Sequence, residues 1–239
     1  MSESEKKKIE NDIASKNNKG IEKQSSQKTI KPIINIKNEE KKGNLIIVQA
    51  IQLYAKGNDN VAIKKLKSIN NLKIPENNYL RQKANKLIND FKIIEIYYKK
   101  GLDFLTHDNI DQASLAWNKA IRSYNKIIQG KNNSLLEKIK YEKAEYFFRQ
   151  ANIAFESHDL TQTVKYCNEV FKIGIKHTGI IEIEQKLCEK AREIYEKGYV
   201  MEDLDSSEAV KYFAKVPNVC THNCEYYQKA KSKIAYHRK

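Results

Sequence analysis

Turn-forming residues are scarce in this chain: its 239 residues include only 3 Pro and 8 Gly. An all-β fold needs a tight turn after every short strand, so the shortage favours long helices. Long apolar runs are also missing. The opening stretch MSESEKKKIENDIASKNN has no apolar core of the kind a secretory signal requires. The apolar run that follows it, Leu45-Ile46-Ile47-Val48, falls far short of the ~20 residues of a membrane-spanning helix. These absences predict a soluble, cytoplasmic protein. Cysteine is sparse too, and Cys167, Cys188, Cys220 and Cys224 are scattered through a Lys-rich chain. That pattern argues against a disulfide scaffold and for a reducing compartment. Acidic residues number 30 against 44 Lys and Arg, which leaves a net charge of +14 and a pI near 9.4. Such a balance suits an acidic partner, although a diffuse excess also serves simply to solvate a surface.

What the chain does contain is helical periodicity. Residues 1–43 are rich in Lys, Glu, Asn and Ser, have no aromatic residue and carry no sustained period. A segment of this kind buries too little apolar surface to offset its ordering entropy, so a disordered basic and polar tail is expected there. Within it, the apolar island Lys28–Lys37 reads either as a strand-adding docking motif or as a tether. The central stretch 94–128 places Tyr97, Gly101, Phe104, Ala113, Trp117 and Ala120 at steps of 4, 3, 9, 4 and 3. Large residues at such steps line one helical face, and small ones at the crossings let two antiparallel helices approach closely.

The same ladder occurs 51 residues earlier, as Ile46, Ala50, Leu53, Ala62, Leu66 and Ile69. A third hairpin is expected from a capping box at Ser134–Glu137, with Tyr141, Ala144, Phe148, Ala151 and Phe155 on one helix and Thr163, Cys167 and Val170 on the next. Its match is looser, with Asn152 set against Gly101. A fourth runs from about Ile180 through Ile194, Gly198, Ala209, Phe213 and Val216, and a last helix spans Glu225 to Tyr236. Ala62, Ala113, Thr163 and Ala209 mark the repeat, and periods of this size denote stacked helical hairpins. Pro75 is expected to open a helix running from about Glu76 to Thr106.

The ladder resembles the tetratricopeptide repeat over residues 44–237, although each unit is longer than the ~34 residues of that family. The resemblance implies an all-α, right-handed solenoid of about four antiparallel hairpins, a non-catalytic adaptor that needs no cofactor and takes a peptide or protein segment in a concave groove. Carried over position by position, the groove comprises Tyr54 with Ile47 and Ile51, then Tyr98 and Leu102 with Leu105. Arg149 and Ile153 follow with Glu156, and Tyr195 and Tyr199 with Arg192. That lining suits a segment with apolar anchors and an acidic group. The Lys and Asn clamp with which some family members hold a chaperone's C-terminal carboxylate is replaced by Tyr98, Leu102, Arg149 and Ile153, so chaperone tails are disfavoured.

Two other chemistries were weighed. Cys220, His222 and Cys224, with Cys188 or His237 beyond them, read as the start of a zinc site, as a local disulfide or as ordinary turn residues; the last is expected, with no metal. His107-Asp108 and His158-Asp159 look like a catalytic pair used twice, yet both fall at inter-helix turns with no nucleophile spaced to use them. The rival to peptide binding is nucleic acid, through Lys211, Lys215, Lys229, Lys231, Lys233, Arg238 and Lys239 interleaved with Tyr212, Tyr226, Tyr227 and Tyr236 and opposed in that segment by Glu225 alone.

Overall fold

The computed structural model describes residues 26–128 and 133–238, with side chains from Asn35 onward. Every regular element among them is helical: α1 (Ser26–Ala55), α2 (Asp59–Lys67), α3 (Tyr79–Thr106), α4 (Ile110–Ile127), α5 (Ser134–Glu156), α6 (Leu160–Ile173), α7 (Thr178–Met201), α8 (Ser206–Lys215) and α9 (Glu225–His237). Short 3-10 turns at Ser68–Asn71 and Val216–Asn218 follow α2 and α8. No helix among the described residues is long and apolar enough to cross a membrane. The described residues form two compact units, one of residues 26–94 and 123–128, the other of residues 95–122 and 133–238.

In the first unit the core is aromatic at its centre. Tyr54 of α1 stacks on Phe91 of α3 with ring centroids 3.7 Å apart, and Tyr124 donates its hydroxyl proton to the Ala55 carbonyl at 3.3 Å. The first helix begins well before Asn44, where order was expected. Its residues 39–44 are occupied by the loop ahead of α3, which explains the extension. Glu39 accepts from the Lys73 backbone N–H at 3.3 Å, Glu40 from the Asn78 side chain at 2.9 Å, and Asn44 donates to the Tyr79 hydroxyl at 3.0 Å. A Cβ on the buried Gly43 would lie 2.7 Å from Leu80 Cδ1, so the helix passes this loop with no room for a side chain. Lys28–Lys37 is accordingly helical in backbone, not a free strand-adding segment. Residues 1–25 of the expected tail lie outside the described residues.

Helix starts differ from the sequence expectation by a few residues, each for a local reason. Pro75 leads a turn rather than a helix, since Asn78 accepts from the Leu80 N–H at 2.9 Å and so caps α3. Asn133, not Ser134, caps α5 by accepting from Leu136 N–H at 2.9 Å.

The turns reveal the repeat more sharply than the side-chain ladder does. Gly57, Asp108 and His158 all have positive φ, at 80°, 55° and 60°, and each is followed by the residue at the N-cap position of the next helix, although Asn58 makes no capping side-chain bond there. Asn109 accepts from Gln112 N–H at 3.1 Å, Asp159 from Gln162 N–H at 3.0 Å, and Asp205 plays this part before α8. Equivalence therefore runs Asp108 to His158 and Asn109 to Asp159, and the two His-Asp pairs are out of register by one residue. Counting from the caps Asn58, Asn109, Asp159 and Asp205, the fourth residue on is Ala62, Ala113, Thr163 or Ala209, and the eighth is Leu66, Trp117, Cys167 or Phe213. All eight are buried. Thr163 fits among the alanines because its hydroxyl donates to the Asp159 carbonyl at 2.8 Å. The small residue of the preceding helix is Ala50, Gly101, Ala151 or Gly198, all buried, so Ala151 takes the place expected for Asn152.

In the second unit these pairs meet. The Trp117 indole lies over Gly101 so closely that a Cβ there would overlap it, and its Nε1 donates to the Tyr98 carbonyl at 3.1 Å. Phe213 covers Gly198 in the same way, 2.8 Å from where a Cβ would stand. Neighbouring hairpins are stitched by polar contacts: Gln150 donates to Asp108 at 3.1 Å, and His177, the cap of α7, pairs with Glu145 at 3.1 Å. Two cores result, one around Ala144, Val164, Cys167, Ile180 and Leu187, the other around Ala191, Ala209, Phe213, Val216 and Ala230.

Candidate binding groove

Helix α9 lies along α7 and is held there at both ends. Cys224, the residue before α9, is joined by a disulfide to Cys188 of α7, with the two Cα atoms 5.6 Å apart. This corrects the expectation of ordinary turn residues over Cys220–Cys224, because Cys224 is one end of a long-range staple. The pairing bridges 36 residues, a separation at which spacing alone carries no signal. It also removes Cys188 and Cys224 from any metal site. Cys220 is buried with its S–H directed at the Val216 carbonyl at 3.4 Å, and the His222 ring meets Phe171. No group of three His, Cys, Asp or Glu able to hold a metal ion occurs among the described residues.

At the other end, Glu202 accepts from Lys233 at 2.6 Å and from His237 at 2.8 Å. The Lys233 hydrogen bond, with a smaller contribution from His237, holds the Glu202 carboxyl below its ordinary range, and the same bond raises the Lys233 ammonium. Both ions stay charged through the neutral range, and the clamp persists with them.

Between these ties opens a groove of about 610 Å³ lined by Tyr195, Glu202, Gln228, Lys229, Ser232, Lys233 and Tyr236. Its floor is set by Tyr195, wedged between Phe213 and Tyr226 at centroid distances of 5.3 and 5.5 Å. Its rim is Tyr236, which is 71% exposed. Tyr199 stands beside it, itself exposed, with the Lys233 ammonium 5.0 Å from its ring centroid. Aromatic surface next to amide, hydroxyl and ammonium donors gives apolar contact and carboxylate recognition in one place.

Of the carried-over groove residues, Tyr195 and Tyr199 meet at this site. Tyr54 does not qualify as a surface residue, being 6% exposed and committed to its stack with Phe91; Ile47 and Leu105 are core residues as well. Tyr98 is half-buried and donates to Glu142 at 3.1 Å, and burial together with that carboxylate pushes its phenol up to about 12. Its hydroxyl ties α3 to α5. Leu102 is half-buried, while Arg149 and Ile153 are exposed on α5.

Sequence reasoning had assigned Lys229, Lys233 and Tyr236 to the rival nucleic-acid surface and passed over Gln228 and Ser232. The legible signal was Lys229, Ser232, Lys233 and Tyr236 at i, i+3, i+4 and i+7, one stripe of a helix. That rival surface is also less basic than its own segment implies. Glu208 pairs with Lys211, Glu225 with Lys229, and Glu202 with Lys233, two of those carboxylates arriving from outside the segment.

No family model matches this chain, and no curated protein or solved structure matches it significantly.

Proposed function

We propose that the chain is a tetratricopeptide-like array of helical hairpins that works as a non-catalytic adaptor, seating a peptide or protein segment in the groove between α7 and α9. The observation that carries this reading is the groove itself, where Tyr195 and Tyr236 offer apolar surface beside the donors Gln228, Ser232, Lys229 and Lys233. Recurrence of the buried ladder in four hairpins supports the repeat architecture, which presents recognition surfaces rather than reaction centres. The ligand chemistry that fits is a segment with an aromatic or aliphatic anchor and a carboxylate that accepts from the exposed Gln228 and Ser232 side chains, since Lys229 and Lys233 are already engaged by Glu225 and Glu202.

One observation favours the nucleic-acid reading. Lys215, Lys229 and Lys231 sit over the rings of Tyr212, Tyr226 and Tyr227 at 5.0, 4.6 and 5.1 Å, pairing charge with a stacking surface. The two readings separate in one comparison. Short peptides bearing Leu or Tyr anchors next to Asp or Glu are expected to bind the unmodified protein, and Tyr236→Ala, at an exposed position, is expected to weaken that binding at least tenfold without unfolding it. Salt-sensitive binding of single-stranded RNA or DNA, lost in Lys215→Glu/Lys231→Glu and untouched by Tyr236→Ala, would overturn the peptide reading.

A further inference from the structure

The four cysteines fall into two chemical kinds. Cys167 and Cys220 are free and buried; burial and, after it, the nearby Glu184 carboxylate push their thiols up to about 12 and about 11. They stay protonated and unreactive. Cys188 and Cys224 are bonded to each other, and their bond is reachable from one side. Cys224 is 4% exposed, whereas Cys188 is half-buried and forms part of the wall of an open cleft of about 290 Å³, with Gln185, Glu189, Arg192, Glu225 and Tyr226. The bond also sits at a mechanical root. It fastens the residue before α9, whose first turn has no side-chain cap, and the other polar ties to α7 are the hydrogen bond from Thr221 to Glu184 in the turn ahead of it and the Glu202 clamp at the far end. The groove of Tyr195 and Tyr236 lies between the two.

We propose that the Cys188–Cys224 bond is a thiol–disulfide exchange site, opened by a dithiol reductant that enters the cleft at Cys188, and that its reduction releases the start of α9 and with it one wall of the groove. One thiolate of the dithiol attacks Cys188 Sγ. The Cys188–Cys224 bond breaks, and Cys224 Sγ leaves as a thiolate and takes up a proton. The second thiolate of the dithiol then attacks the mixed disulfide at its own sulfur, expelling Cys188 as a thiolate that is protonated in turn. Two electrons pass to the cysteine pair, and the dithiol becomes a disulfide. An oxidising compartment keeps α9 fastened, and a reducing one leaves it on the Thr221–Glu184 hydrogen bond, the Glu202 clamp and its apolar contacts. The exchange is independent of what the groove binds; only its consequence for binding rests on the proposed function.

The test uses the full chain purified without reductant and then treated with dithiothreitol under native conditions. Alkylation and mass spectrometry are expected to label Cys188 and Cys224 and to spare Cys167 and Cys220. Amide hydrogen exchange is expected to rise about tenfold or more across 225–237 while 160–173 is unchanged. Cys188→Ser/Cys224→Ser should reproduce that pattern without reductant. The proposal is overturned if the oxidised protein shows four free thiols, if the bond resists dithiothreitol until the whole chain unfolds, or if reduction leaves exchange across 225–237 unchanged. Loss of binding of an anchored acidic peptide on reduction supports the coupling to the groove. A peptide that never binds the oxidised protein defeats the groove reading, while the labelling and exchange results still decide the redox one.

Discussion

The hairpins α3–α4 and α7–α8 solve one packing problem with different means. In both, a glycine on the first helix faces a large aromatic ring on the second, Gly101 under Trp117 and Gly198 under Phe213. The first pair is self-sufficient: the indole is buried, overlies the glycine and is pinned by its hydrogen bond to the Tyr98 carbonyl. The phenyl ring of Phe213 makes no such bond, and its hairpin is instead closed from outside by α9, the disulfide and the Glu202 clamp. A local lock and an external fastening can therefore serve the same rung.

Measurements on single rungs and on the fastening would break or sharpen that contrast. Trp117→Ala should cost the most, about 3–5 kcal/mol in denaturant unfolding, because a large buried side chain and its hydrogen bond are lost together; a near-neutral result would remove Trp117 from the core. Cys188→Ser/Cys224→Ser, compared with the oxidised protein, should cost about 2–4 kcal/mol, as expected for opening a closed loop of 36 residues. Should the loss be negligible, the fourth hairpin would not depend on its fastening. Gly101→Ala should cost about 1–3 kcal/mol through overpacking, since the pinned indole has nowhere to move. At Gly198 a Cβ would stand 2.8 Å from Phe213, a milder overlap than the one with the indole at Gly101, and alanine gains about 1 kcal/mol of helix propensity, so Gly198→Ala should come out closer to neutral. Adding Trp117→Leu to Gly101→Ala recreates the Ala50/Leu66 combination of the first hairpin and should recover part of the loss.

The smallest effect is that of pH on the Glu202 clamp. A carboxyl whose folded pKa is depressed contributes stability that is complete above the unfolded value of about 4.3 and is lost as pH falls through the lower folded value. Acid titration of unfolding stability should therefore show a loss below about pH 4.3 that Glu202→Gln reduces. An unchanged acid profile in the variant would show that Lys233 and His237 gain nothing from that carboxylate.

Much of the fold was legible because it rests on short-range rules. The ladder from Ala62 to Val216 reports which faces turn inward: Ala62, Leu66, Ala113, Trp117, Ala120, Ala144, Thr163, Cys167, Ala209, Phe213 and Val216 are buried, whereas Tyr97, Phe104, Phe148, Phe155 and Ile194 are half-buried and Tyr141, expected on the same stripe, is exposed. Turn chemistry was misread by one residue, because His-Asp looks like a motif, whereas the backbone needs a positive-φ residue followed by a cap, and Asp108-Asn109 meets that need as well as His158-Asp159 does. The N-terminal boundary was misplaced because Glu39, Glu40, Gly43 and Asn44 are ordered by a loop some 35 residues further on, as in the Asn44–Tyr79 bond. The candidate site was legible only in part. Tyr195 and Tyr199 lie at the groove, but Tyr54 belongs to a core whose other half, Phe91 and Tyr124, comes from distant helices. The disulfide lay beyond sequence reading for the same reason.

The pairing of sizes at each rung also bears on how helical hairpins of similar build assemble without error. Gly101 is matched to Trp117 and Gly198 to Phe213, whereas the equivalent positions of the third hairpin hold Ala151 and Cys167. If α5 paired with α4 in place of α6, the Ala151 methyl would collide with the indole; if α3 paired with α6, Gly101 would face a thiol across a void. Each wrong marriage is penalised by a clash or by a cavity. Repeat proteins are prone to exchange elements between like units during folding, and here each hairpin carries its own key, a mark of identity written in side-chain volume.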